Sequence, residues 1–317
     1  MTNILWRTAF MLLGIAACSA GQRSLADTLL VSWVDAPAPE FFRVEAHHNP
    51  AFKFNLNFSG IATNVAIDRD GNFYVGAFAS SDVHKYNSYG ISQGVFATAS
   101  PLVVGSMAFN SAGELITSAA NLQASPITGS IERFAPNGLP LGAIATNVPG
   151  QHNDMAINAA GDIFLTTTGS SVQRFGSDGA LRNTFSVGGR PSTLALDSQS
   201  TLYAVINNSS VAAFAPTGEP LGTIISGVGY IQSIAIDSND NVYIGGGVEF
   251  ESQGFIKTYS SSGAYIQDYL SGQPGIAWDL AFAMPVPEPG ALAMCITLGG
   301  VVLSIRRRQQ RVSDAAA

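Results

Sequence analysis

The chain has 317 residues, of which 46% are hydrophobic and only 12% charged, with 33 glycines and a net charge of -7. So much apolar surface excludes a disordered polymer, and many glycines with few charges argue against a helix-rich cytosolic enzyme, favouring short strands and frequent turns. The acidity argues against a nucleic-acid partner: from Asp27 to Pro285, 9 Lys and Arg stand against 20 Asp and Glu, a net -11 that repels phosphate backbones.

At the N-terminus Arg7 precedes an apolar run from Thr8 to Ala17, and small residues follow at Ser24-Leu25-Ala26. That order predicts a secretory signal peptide over 1–26, helical in its apolar part. A second reading is a lipobox at Ile15-Ala16-Ala17-Cys18, which would make Cys18 the lipidated start of the mature chain. The only other cysteine is Cys295, so cleavage after Ala26 leaves the exported domain without a disulfide, thiolate ligand or cysteine nucleophile.

The first predicted strands are Leu29 to Trp33, Phe41 to Glu45 and Phe52 to Leu56. Five copies of one motif follow. Val65-Ala66-Ile67-Asp68 with Phe73-Tyr74-Val75 recurs as Met107-Ala108-Phe109-Asn110 with Leu115-Ile116-Thr117, and Met155-Ala156-Ile157-Asn158 with Ile163-Phe164-Leu165. Leu194-Ala195-Leu196-Asp197 with Leu202-Tyr203-Ala204, and Ile234-Ala235-Ile236-Asp237 with Val242-Tyr243-Ile244, complete the set. Each copy is trailed by a half-buried element such as Val83 to Tyr86 or Ile131 to Phe134, then by a glycine four residues on (Gly90, Gly138, Gly179, Gly218, Gly263) and a short run. Each unit therefore reads as four strands.

The Asp or Asn closing the first strand, with Gly71, Gly113 or Gly161 three residues later, predicts a tight hairpin; Ser200 and Asp240 stand in the glycine's place in the last two copies. The unvarying alanine predicts a crowded position where sheets converge. The alanines are spaced by 42, 48, 39 and 40 residues, the length of a four-stranded blade. A sixth first strand, Trp278 to Phe282, has no chain after it to complete a blade, so the three N-terminal strands supply the rest. The expected fold is all-β, a six-bladed β-propeller over 27–284 closed by a composite blade.

One polar residue precedes the apolar pair of every first strand: Asn64, Ser106, Asp154, Thr193, Ser233 and Asp279. Innermost strands line a propeller channel, so these six are expected to ring one mouth, with Asp154 and Asp279 on opposite blades and His152, Asn153 and Gln232 nearby. Such oxygens are candidates for Ca²⁺ or sugar hydroxyls, although Ca²⁺ takes 6–8 oxygens and polar lining alone suits a wet channel. Of the histidines, His47-His48 is expected in a solvated turn and His84 on an outward face, too little for a zinc or acid–base constellation. Gly245-Gly246-Gly247 is expected to end the second strand of the fifth blade as a flexible loop, and Ala119 to Gly129, with Pro126, to lengthen the second blade as a surface loop.

After Pro285, Val286-Pro287-Glu288-Pro289-Gly290 leads into an apolar run from Ala291 to Ile305, closed by Arg306-Arg307-Arg308. Fifteen apolar residues are short of the roughly 20 that span a bilayer, but arginine stems extend their reach and would remain on the cytoplasmic side. An ordinary membrane anchor would place the domain outside in the same way.

The proline-glutamate-proline string, apolar helix and arginine cluster over 285–317 resemble the PEP-CTERM sorting signal of Gram-negative bacteria. That resemblance implies an exosortase-type processing enzyme as partner, membrane contact through the tail before processing, and association with exopolysaccharide or biofilm matrix in the cell envelope or beyond. The repeat resembles NHL-type six-bladed propellers, including Asp-x-x-Gly-Asn-x-Tyr at Asp68, Gly71, Asn72 and Tyr74. The NHL resemblance implies a fold and no particular activity. The expected role is a binding or structural protein without a cofactor, its partner a polysaccharide or protein; the other reading is a lactonase-like or lyase-like enzyme with a channel metal.

Overall fold

The computed structural model describes residues 28–34, 42–49, 52–56, 58, 62–77, 80–99, 103–121, 125–150, 152–167, 169–247 and 253–282. The expected signal helix over 1–26 and the sorting helix and arginine cluster over 285–317 lie outside the described residues.

Twenty-four strands form six antiparallel four-stranded sheets among the described residues. The chain opens with β1 (Leu29–Val34), β2 (Phe42–Asn49) and β3 (Phe52–Leu56). Blade 1 is then β4 (Ala62–Ile67), β5 (Phe73–Ala77), β6 (Asp82–Tyr86) and β7 (Ser92–Thr98), and blade 2 is β8 (Val103–Phe109), β9 (Leu115–Asn121), β10 (Thr128–Phe134) and β11 (Pro140–Pro149). Blade 3 comprises β12 (Met155–Ile157), β13 (Ile163–Thr166), β14 (Ser171–Phe175) and β15 (Leu181–Ser186). Blade 4 comprises β16 (Pro191–Leu196), β17 (Leu202–Ile206), β18 (Ser210–Phe214) and β19 (Pro220–Ser226). Blade 5 comprises β20 (Tyr230–Ile236), β21 (Val242–Gly247), β22 (Gly254–Tyr259) and β23 (Tyr265–Gln273). Blade 6 is composite: β24 (Ile276–Phe282) pairs with β1, and the order is β24-β1-β2-β3. Joining the two ends of the chain in one sheet removes the open edge that a linear array would leave.

Successive side chains of a first strand point to opposite neighbours. Val65 and Ile67 pack with blade 6, whereas Ala66 packs with blade 2. Each joint is thus a core shared between two sheets. The hairpins repeat one geometry: Asp68 Oδ1 accepts from the amides of Asp70 (2.9 Å) and Asn72 (2.8 Å), and Asp197 and Asp237 accept from their own turns in the same way. Gly71, Gly113 and Gly161 sit at φ 78°, 77° and 84°, and Ser200 and Asp240 hold the same left-handed backbone at 64° and 61°. The hairpin survives without its glycine because the Asp side chain ties it locally.

Three expectations are corrected. Gly245-Gly246-Gly247 does end the second strand of blade 5, but as buried residues of β21 paired on both sides and not as a flexible loop. A Cβ on Gly245 would lie 2.4 Å from Ser233 Oγ and 2.8 Å from Ala277 Cβ, so the glycines admit close approach by β20 and β24. The two ends of the expected second-blade loop, residues 119–121 and 128–129, are strand instead and lengthen β9 and β10, paired out to Asn121 and Thr128. His47 belongs to β2 and is 1% exposed, because that strand runs to Asn49 instead of turning after Glu45.

Candidate functional site

The six polar residues do occupy equivalent places, five on innermost strands and Asp154 immediately before β12. Period-two alternation places each on the same face as the repeat alanine, toward the next blade. Asn64 reaches blade 2, its amide satisfied at both ends when Nδ2 donates to the Gly105 carbonyl (2.8 Å) and Oδ1 accepts from Thr63 Oγ1 (3.1 Å). Ser106 Oγ donates to Asp154 Oδ1 at 2.8 Å, across to blade 3. Ser233 Oγ donates to the Ala277 carbonyl at 2.9 Å, across to blade 6. Asp279 Oδ2 accepts from the Val65 amide at 2.8 Å, across to blade 1. Thr193 alone turns back, donating to Asp154 Oδ2 at 2.6 Å.

Asp154 is the hub. Besides Ser106 and Thr193 it accepts from the amides of Leu194 (2.7 Å) and Met155 (2.7 Å), so both oxygens carry two donors and one carboxylate stitches three blades. Asp279 has two amide donors, Val65 and Leu280. Burial raises the pKa of Asp154, opposed by its donors. Asp279 is raised further, by burial first and then by the charge of Asp154, with only two donors to offset it. The pair on opposite blades is therefore electrostatically coupled across the axis and titrates as a unit.

An axial cavity of about 150 Å³ is lined by Asp154, Asp279 and Ser106 together with apolar first-strand residues such as Met107, Met155, Ile234 and Leu280. Among the described residues no three His, Cys, Asp or Glu cluster as metal ligands would.

His152 is 2% exposed and packed under blade 2, where a Cβ on Gly129 would meet its ring at 2.6 Å. Burial lowers its pKa, outweighing the opposite effect of the Val148 carbonyl. Gln232 is held by Tyr230 Oη at 2.8 Å, and His84 packs edge-on to Phe58. Sequence reasoning missed a buried charge network on β2: Glu45 accepts from Arg43 Nε at 3.0 Å and meets His47 Nε2 at 3.1 Å. Arg43 also donates to the Pro274 carbonyl and stacks on Trp33 at 4.8 Å, tying blade 6 to the end of blade 5. Its signal was the i, i+2, i+4 spacing of Arg43, Glu45 and His47, which places all three on one face of a strand.

This architecture recurs in solved structures of low sequence identity. A protein of unknown function from Bacteroides caccae superposes with a TM-score of 0.63 at 12% identity, over 81% of this chain and 99% of that one. A structure from a nidogen/laminin complex gives 0.62 at 12% identity, over 81% and 98%. A gluconolactonase from Xanthomonas campestris gives 0.52 at 15% identity, over 69% and 84%. No family profile matches the chain. No curated protein matches it either. At such identities the likeness shows the propeller fold and nothing of activity.

Proposed function

We propose that this is an exported, NHL-like β-propeller acting outside the cytoplasm as a non-catalytic binding or structural protein, associated with exopolysaccharide or other matrix polymer. The observation that carries the reading is how the axial carboxylates are used. Asp154 holds four protein donors and Asp279 two, so the groups that a channel enzyme would offer to substrate or metal instead join blades. The address rests on the resemblance of Val286 to Gly290 and Arg306 to Arg308 to a PEP-CTERM tail, with an exosortase-type enzyme as processing partner. The hairpin at Asp68, Asn72 and Tyr74 supports the NHL-like subclass: Asn72 Nδ2 and Tyr74 Oη both donate to Asp68 Oδ2.

Affinity electrophoresis through gels cast with the organism's own exopolysaccharide tests the role. Retarded migration is expected; unretarded migration together with turnover of a lactone substrate would overturn the proposal. Replacing Pro287-Glu288-Pro289 by alanines tests the address, and cell fractionation should then find the chain unprocessed in the membrane. Normal processing of that variant would remove the sorting reading.

A further inference from the structure

We propose that the joint between blades 2 and 3 binds a small phenol. At three repeat positions the joint between blades 1 and 2 is aromatic: Tyr74 meets Phe96 at 4.9 Å and Phe109 at 4.7 Å, both edge-on. The joint between blades 5 and 6 has the same trio, with Tyr243 meeting Tyr269 at 5.4 Å and Phe282 at 4.9 Å. Phe164 and Tyr203 keep a ring at the second-strand position in blades 3 and 4. Blade 2 does not. Ile116, Ile144 and Ile157 occupy the three positions there, and a cavity of about 260 Å³ opens between these isoleucines and Ile163.

Blade 2 keeps the cation that serves the ring in other blades but moves the carboxylate: Asn110 stands where Asp68 and Asp197 stand, and Glu114 lies four residues on. Lys85 lies over Tyr74 at 5.2 Å and Arg174 over Phe164 at 5.8 Å. Arg133, the equivalent cation of blade 2, borders the cavity, and its buried Nε has no hydrogen-bond partner. The tyrosine hydroxyls of blades 1 and 4 donate to carboxylates, Asp68 at 2.9 Å and Asp197 at 3.1 Å. At the turn end of the cavity stands Glu114, whose Oε2 accepts from Asn110 at 2.9 Å and pairs with Arg133 Nη1 at 3.9 Å, so that Oε1 has lone pairs to spare. Apolar walls, a cation for the ring face and a carboxylate for one hydroxyl define a phenol. An apolar cavity of about 150 Å³ suffices for benzene, so a substituted single ring fits.

The probe is p-cresol, with toluene as the ring lacking the hydroxyl. Thermal melts of the full chain should rise by about 2 °C or more with p-cresol at saturating concentration and by less with toluene. Ile116→Tyr should raise the melting temperature unaided and abolish the p-cresol response. An absent response, an equal response to toluene, or a response that persists in Ile116→Tyr overturns the proposal. Should that variant not fold, Arg133→Ala, whose side chain is 41% exposed, replaces it. It should weaken p-cresol binding about threefold through the lost cation–π contact, and unchanged affinity would overturn the assignment.

Discussion

The two joints flanking blade 2 are built from the same repeat and filled differently. Toward blade 1, Tyr74, Phe96 and Phe109 interlock and a tyrosine hydroxyl ends on Asp68; toward blade 3, three isoleucines stand at those positions and the turn end of the joint is hollow. The backbone barely registers the change, since both hairpins at the hollow joint keep their left-handed glycines, Gly113 and Gly161. A propeller joint thus tolerates loss of its aromatic filling when the strands on either side are held elsewhere. At the joint between blades 2 and 3 the holding is done from the axis by Asp154.

The sharpest way to break the contrast is to make the filled joint resemble the hollow one. Tyr74→Ile removes a ring 1% exposed and a hydroxyl bonded to a carboxylate. A loss of about 2–4 kcal/mol is expected from the deleted volume and the abandoned acceptor. Urea titration reads it as a lower midpoint at unchanged slope, and a loss under about 1 kcal/mol would mean the aromatic trio is not what holds that joint.

Next in size is the axial support of the hollow joint. Asp154→Ala leaves the Ser106 and Thr193 hydroxyls and the amides of Leu194 and Met155 without their acceptor, at an expected cost of about 2–3 kcal/mol even after relief of burying a charge. Asn64→Ala, which removes one donor bound to a backbone carbonyl, should cost about 1 kcal/mol. Equal losses in the two variants would deny Asp154 its special place.

The difference between these joints also marks what could be read from the chain alone. The blade count and the composite closure were legible because alternation and the Asp-turn-Tyr spacing repeat at the level of single residues. The polar ring was legible as a set of positions. Their bonds to the next blade were not, although strand parity tied Ser106 to Ala108 and Asp154 to Ala156, on the face turned to that blade. The hollow at Ile116, Ile144 and Ile157 depends on aligning three separate strands and on the volume they leave, which no single window displays. His47 was misplaced because the apolar alternation of Phe42, Val44 and Ala46 stops at His48, and a histidine pair before Asn49-Pro50 reads as a turn although β2 runs on to Asn49.

Filling the hollow should reverse the first prediction on a smaller scale. Ile116→Phe places a ring under Arg133, and about 1 kcal/mol of added stability is expected in the same titration. A loss would mean that the three remaining isoleucines, Ile144, Ile157 and Ile163, cannot yield to a larger side chain.

The hollow joint also buries His152, which makes it the acid-sensitive one. An unfolded histidine titrates near 6.5 and the folded one lower, so the unfolded chain takes up the proton first. Stability from this group is whole above about pH 6.5 and drains as the pH falls from there through the folded pKa. Asp154 and Asp279, raised by burial, act in the opposite sense: the folded chain binds their protons more readily and gains stability on acidification. Melting temperatures measured from pH 7.5 to 5 should therefore fall less, or rise, in His152→Leu relative to the parent chain. Parallel profiles would show that the histidine does not set the acid response.

The smallest effects should lie in the hairpins, because the joints differ in filling and not in turn geometry. Ser200 holds φ 64° with a Cβ, so Ser200→Gly relieves a left-handed strain and should stabilise by about 0.5 kcal/mol. Asp240 holds φ 61°, but its carboxylate also accepts from the Ser198 amide at 2.8 Å and hydroxyl at 2.7 Å, a link from blade 5 to blade 4. Asp240→Gly relieves the same strain and loses that exposed link, so its net effect should be close to zero. If both variants gained equally in thermal melts, the Ser198 contact would contribute nothing. If Ser200→Gly instead lost stability, the turn would depend on its side chain and the separation of hairpin from joint would fail.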